Sequence, residues 1–234
     1  IFQMVMGWDV DGVIAISFSK SNCEKIYQLI NKPIVSIDAY GELDAGQESH
    51  VLNIGLDDES GGYLMTKYLL ECGYEHIQVC AGRDNGVDHF RYMGAQRAAK
   101  EFAGKKQKVQ FTALGMNYAK RKESYAWLIQ RKKPKTALFF LSDLYALEAI
   151  SFFSSRGIKI PEDIGIAGYD NISYAEFSVP RLTTISQNVE QKASFAVEIL
   201  MERINGEEKE WENEIKLPVT LIPRKSVQPQ DEEK

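Results

Sequence analysis

The sequence predicts an α/β protein whose sheets are mainly parallel and covered by helices on both faces. Two observations carry this. Short apolar runs alternate with helix-length segments from residue 12 to residue 222, the pattern of repeated βα units. Several of the runs, among them Gly12–Ser17 and Ala137–Leu141, are apolar without interruption, as strands buried on both faces must be.

The elements follow in order. Gly12–Ser17 reads as the first strand, with Ser21 or Asn22 as cap of a helix running to about Asn31. Pro33–Ile37 is the next strand, ending at Asp38. Val51–Ile54 is short enough to suggest an edge strand. Asp57-Asp58-Glu59-Ser60 opens a helix with its acids near the positive end of the dipole. Leu64, Tyr68 and Leu69 form its apolar stripe and Gly73 its left-handed stop. Strand 77–81 then leads to helix 89–102, strand 109–114 to helix 122–132, and strand 137–141 to helix 144–156. Asp163–Gly168 reads as a buried strand with Tyr169-Asp170-Asn171 at its end. Asn188–Asn205 is a long helix with Val189, Ala193, Ala196, Leu200 and Ile204 on one face. A charged loop over 207–214 and a last strand over 216–222 complete the pattern, and the tail after Arg224 is expected to fray. Residues 1–8 look like the end of an amphipathic helix or a loop.

The chain has 234 residues, room for one large domain or two small ones. A net charge of −5 gives no basic field of the kind nucleic acids require. No apolar run is long enough for a transmembrane helix, and the first residues lack the pattern of a signal peptide. Cys23, Cys72 and Cys80 are an odd count without metal-ligand spacing. They read as reduced thiols of a cytoplasmic protein, Cys80 as a core residue. His50, His76 and His89 are scattered, so no metal site is expected, and no Walker or dinucleotide fingerprint suggests a cofactor.

Asp9-Val-Asp-Gly-Val-Ile14 looks like the first motif of the haloacid-dehalogenase phosphatases, in which two aspartates follow a strand beside Mg²⁺. Here the apolar run comes after the aspartates, so the motif reads as a turn that launches a strand, and no enzyme is expected. Arg91 sits early in a helix that follows a strand. It is either a solvated surface arginine or a planar fork for a ligand's oxygens. Asp38 and Asp170 each follow an apolar strand, as loop caps or as acceptors for ligand hydroxyls. Ser142-Asp143 repeats that position, Asp143 being either a helix cap or a ligand contact. Tyr118 is either a surface aromatic or a platform for a sugar's C–H face.

Three strings close the chain: DIGIAGYDN (163–171), PRLTTISQ (180–187) and LPVTLIPRKS (217–226). With Gly62-Tyr63, Gly73-Tyr-Glu-His-Ile77, Arg91-Tyr-Met-Gly94 and Lys135-Thr-Ala-Leu-Phe139, their joint order resembles the effector-binding core of the lactose/galactose repressor family, from about Val10 to Ser226. The resemblance implies a periplasmic-binding-protein-like fold of two Rossmann-like subdomains joined by three crossings. It places residues 1–81 and 188–217 in the first, 82–187 and 218–226 in the second, and 227–234 in a tail. It implies a sugar or sugar-like effector in a cleft, whose closure controls operator binding by a homodimer. Asp38, Arg91, Asp170 and Gln187 match family positions that contact effector. Tyr118 matches the aromatic position and Phe18 the floor. Ser142 stands where many members have asparagine. The family's helix-turn-helix, hinge helix and first strand, helix and second strand find no match before Val10. The chain is therefore expected to belong to a larger parent that reaches operator DNA through that segment. A solute-binding protein of a sugar transporter is the alternative on the same fold.

Overall fold

The computed structural model describes residue 7 and residues 9–82, 86–102, 107–207 and 211–230; the expectation for residues 1–8 falls almost wholly outside them. The chain divides into two units, residues 1–57 with 188–218 and residues 58–187 with 219–234, and passes between them three times. Each unit has its own sheet.

In the first unit, β1 (Val13–Ile16), β2 (Ile34–Ile37), β3 (Leu52–Leu56) and β9 (Glu214–Leu217) form a parallel sheet in the order β1-β2-β3-β9. Alternation along β2 explains why this strand is apolar throughout. Ile34 faces Cys23 and Ile26 of helix α1 (Lys20–Ile30), while Val35 and Ile37 face Ala196 and Ile199 of helix α7 (Val189–Ile204). Ser19 caps α1 rather than Ser21 or Asn22: its hydroxyl accepts from the Asn22 N–H at 3.2 Å, and Asn31 closes the helix in a left-handed conformation. The buried stripe of α7 is Lys192, Ala196, Ile199 and Glu202, about one position off the expected face, with Val189 and Ala193 exposed. β3 is no edge strand. It lies between β2 and β9, a partner about 160 residues away that local pattern cannot reveal.

The second unit holds a six-stranded sheet in the order β10-β8-β7-β6-β4-β5. Its strands are β4 (His76–Ala81), β5 (Lys108–Ala113), β6 (Thr136–Phe140), β7 (Gly165–Asp170), β8 (Thr183–Ser186) and β10 (Thr220–Ile222). All neighbours are parallel except β10 with β8. Helices α2 (Asp58–Glu71), α3 (Gly86–Glu101), α4 (Tyr118–Gln130), α5 (Asp143–Ser154) and the short α6 (Ser173–Phe177), which the sequence pattern does not announce, complete the unit.

This unit revises the expected boundary. α2 and β4, placed by resemblance in the first subdomain, belong to the second unit, because β4 is hydrogen-bonded between β5 and β6. The first passage therefore follows β3 and not β4. The stretch read as one strand over 216–222 is two, β9 and β10, in different sheets on either side of Pro218.

The three C-terminal strings interlock. Ser226 accepts the Thr183 N–H at 2.8 Å and donates to the Ile166 carbonyl at 2.5 Å. Arg224 donates to the Leu182 carbonyl and to Asn171 Oδ1, both at 2.8 Å. The tail does not fray at Arg224: Ser226 and Val227 are buried, and the Gln230 N–H reaches the Cys72 carbonyl at 2.7 Å. Cys23, Cys72 and Cys80 are buried free thiols, Cys80 within the core. No helix among the described residues is long and apolar enough to cross a membrane.

Candidate functional site

The parallel strands of the second unit deliver five of the seven candidate residues to one edge of their sheet. In the sheet order β8-β7-β6-β4-β5, Gln187 follows β8 and Asp170 ends β7. Ser142 follows β6, Arg91 lies on the helix after β4, and Tyr118 starts the helix after β5. This is the carboxyl edge of the sheet. The strand order reverses between β4 and β6, which is where open α/β sheets bind ligands.

Gln187, Asp170 and Ser142 form a hydrogen-bonded chain. Gln187 Nε2 donates to Asp170 Oδ1 at 2.5 Å and Ser142 Oγ donates to Asp170 Oδ2 at 3.1 Å. A carboxylate offers about four acceptor sites; Gln187, Ser142 and the Asp143 N–H take three of them, which leaves Asp170 room to accept from a ligand. Burial raises the Asp170 pKa, opposed first by the Arg91 charge and then by the Ser142 hydroxyl. Asp170 has φ 123° and Asn171 φ 55°. Backbone of this kind is costly for side chains with a Cβ and concentrates at functional sites.

Arg91 is buried, not solvated. Its Nε donates to Asp58 Oδ1 at 2.8 Å, one terminal nitrogen donates to the Leu141 carbonyl at 2.9 Å, and the guanidinium lies 3.7 Å from the Tyr169 ring centre. Burial opposes its charge, but Asp58, Tyr169 and Asp170 outweigh that and hold its pKa above the ordinary value. α2 and α3 cross with almost no space between them, because a Cβ on Gly62 would strike the Arg91 carbonyl and one on Gly94 the Glu59 carbonyl. Tyr118 is exposed at the start of α4, with Lys122 Nζ 5.0 Å from its ring centre.

Asp143 is neither a helix cap nor a ligand contact. It is fully buried, accepting from Thr184 Oγ1 at 2.6 Å and from the Ile172 N–H at 3.0 Å, so it ties α5 to the ends of β7 and β8. Burial pushes its pKa up to about 7, with Thr184 opposing and Asp170 reinforcing the shift. The native state thus holds this proton at pH values where the unfolded chain has lost it. The contribution of Asp143 to stability is therefore fully present below about pH 4 and is lost as pH rises to about 7, on the order of a few kcal/mol in all. Asp143→Asn is expected to flatten the stability profile of the second unit in that window. Urea titrations at closely spaced pH values check this, and an unchanged slope would refute it.

Asp38 and Phe18 belong to the first unit. Asp38 follows β2 with φ 52°, its N–H on the Ile54 carbonyl at 2.9 Å. Asn53 accepts the neighbouring Ala39 N–H at 2.9 Å and so orders the same turn. The Asp38 carboxylate pairs with Lys192 Nζ at 2.5 Å, a lysine only 3% exposed. Phe18 follows β1 and packs half-buried on the α1 side of the sheet. Asp9 and Asp11 are exposed and precede β1, at the wrong end of a strand for the phosphatase chemistry. Sequence reasoning missed Asp58, Tyr169 and Lys192 as partners of the site residues. Lys192 left one signal, a charge among the apolar positions of a helix.

A doubly wound sheet with polar side chains lined along its carboxyl edge is the architecture in which small-molecule sites are commonly built. A model of the periplasmic binding protein-like domain family matches residues 66–227. The chain belongs to that family. It is 32% identical over 233 residues to the HTH-type transcriptional repressor PurR of Pasteurella multocida, covering 96% of this chain and 66% of the relative. It is 36% identical over 180 residues to PurR of Haemophilus influenzae, covering 74% and 53%. The chain thus spans about half to two thirds of the length of these relatives. Among solved structures, a LacI family regulator from Enterococcus faecium with bound ribose superposes with a TM-score of 0.82 at 27% identity, covering 98% of this chain and 83% of that one. A periplasmic binding protein/LacI transcriptional regulator from Alkaliphilus metalliredigens, complexed with D-xylulofuranose, gives 0.78 at 26%, covering 96% and 80%.

Proposed function

We propose that this chain binds an uncharged sugar or sugar-like effector and that, in the full-length regulator, occupancy of the site changes affinity for operator DNA. The row formed by Gln187, Asp170, Ser142 and Arg91 carries this reading: it sets donors and a carboxylate acceptor side by side along one carboxyl edge, as paired recognition of hydroxyls requires. Tyr118 supplies an exposed aromatic face at the end of the row. The same reading gives Asp38 and Phe18 effector-facing roles at the strand ends of their own unit. Sugars bound to two structures of similar fold, ribose and D-xylulofuranose, support the ligand class. Repressor relatives at 32% and 36% identity favour a regulator over a transporter's binding protein, and with that reading go a cytoplasmic location and a homodimer. Titration calorimetry of the chain against neutral pentoses, hexoses and disaccharides tests the reading. A saturable, stoichiometric heat with one of them is expected, and Arg91→Ala should abolish it.

A further inference from the structure

We propose that Asp58 is a positioning residue: it fixes the Arg91 guanidinium in one orientation and restricts it to uncharged ligands. The proposal rests on the reading of Arg91 as an effector donor and deepens it.

Three contacts hold the guanidinium. Nε donates to Asp58 Oδ1 at 2.8 Å, one terminal nitrogen to the Leu141 carbonyl at 2.9 Å, and the plane lies over Tyr169. The Tyr169 hydroxyl donates to the same Asp58 oxygen at 3.2 Å, so the carboxylate also fixes the ring on which the guanidinium stacks. The placement of Asp58 is equally determined. It opens α2, and α2 is held against α3 by backbone contact at Gly62 and Gly94, while Gly61 leaves room for the Tyr169 ring. The Arg91 and Asp58 side chains are 8% and 13% exposed, so solvent does little to loosen the pair.

Two chemical consequences follow. An arginine clamps a phosphate or carboxylate side-on through Nε and a terminal nitrogen. With Nε occupied by Asp58 that side-on fork is closed, and the end-on fork of the two terminal nitrogens is encumbered because one of them already donates to the Leu141 carbonyl. What remains for a ligand are the terminal N–H groups not given to the Leu141 carbonyl. The charge is also neutralised: Asp58 sits in contact, Asp88 Oδ1 lies 3.7 Å from a terminal nitrogen, and Asp170 interacts with the same guanidinium. An anionic ligand would meet three carboxylates around one cation, whereas a hydroxyl needs only one of those terminal N–H groups.

The test needs no effector. The protein is labelled with ¹⁵N-arginine, the Arg91 Nε–H signal is identified by its loss in Arg91→Lys, and inorganic phosphate is titrated. In the wild type the signal is expected to exchange slowly with solvent and to stay unmoved by phosphate. In Asp58→Asn it is expected to exchange faster and to shift saturably with phosphate, and Asp58→Glu should restore the wild-type behaviour. A saturable phosphate shift or fast exchange in the wild type would overturn the proposal, whether or not the variants fold. So would a folded Asp58→Asn protein that ignores phosphate. Failure of the sugar titrations would instead remove the role of Arg91 as an effector donor, and leaves this readout intact.

Discussion

Gly94→Ala is expected to destabilise the second unit by about 3 kcal/mol or more, at the upper end of overpacking effects, lowering its melting temperature by roughly 10 °C. The added methyl meets the Glu59 carbonyl and the Tyr63 N–H, both on α2. These are backbone atoms of a neighbouring helix, so no rotamer change relieves the clash and the helices must separate. Gly62→Ala meets the Arg91 carbonyl from the other side and should behave alike. Because α2 carries Asp58 and α3 carries Arg91, separation also disturbs the candidate site, and sugar affinity should fall with stability. Calorimetric melting of wild type and variant checks the first part. An unchanged transition would mean that the helices do not cross as described.

The second large effect lies in the first unit. Lys192 is buried in the first turn of α7, near the positive end of the helix dipole, where a cation is doubly disfavoured. Asp38, whose side chain is 34% exposed, is its partner at 2.5 Å. The asymmetry in exposure predicts an asymmetry in cost. Asp38→Ala strands a buried ammonium and should destabilise the unit by about 3–5 kcal/mol. Lys192→Met leaves a carboxylate that water already reaches and fills the vacated space with a side chain of similar length, so its effect should be much smaller. The double variant should recover most of the loss. Denaturant unfolding of the three variants decides the matter, and a Lys192→Met protein as unstable as Asp38→Ala would contradict the buried-pair description.

The sequence made the alternation of strands and helices legible, because buried parallel strands are apolar on both faces and helix ends carry their own chemistry. β4, β6 and β7 lie within two residues of their expected bounds for that reason. Pairing was not legible. β3 has the length of an edge strand, yet its interior position depends on β9, far along the chain. The boundary after β3 was hidden for the same reason, since nothing local to α2 or β4 says which sheet they join. Pro218 separates two strands inside a mainly apolar string that reads as one. Among the site residues, Asp170, Ser142 and Gln187 were found from their positions after strands and their match to family strings. Asp58 looked like an ordinary acid at a helix start, and only its 2.8 Å contact with Arg91 distinguishes it. Asp143 shows the reverse case: its place after β6 suggested a cap or a ligand contact, and complete burial makes it an internal tie instead.

Titration calorimetry of the wild-type chain, Arg91→Ala and Asp170→Asn against a panel of neutral sugars bears most directly on the effector site. At least one sugar should bind the wild type with one-to-one stoichiometry. Arg91→Ala should lose that heat, and Asp170→Asn should weaken binding by about 1.5–3 kcal/mol, the worth of a hydrogen bond to a charged group. Full affinity retained in Arg91→Ala for the sugar that binds would contradict the assignment of this strand edge as the effector site.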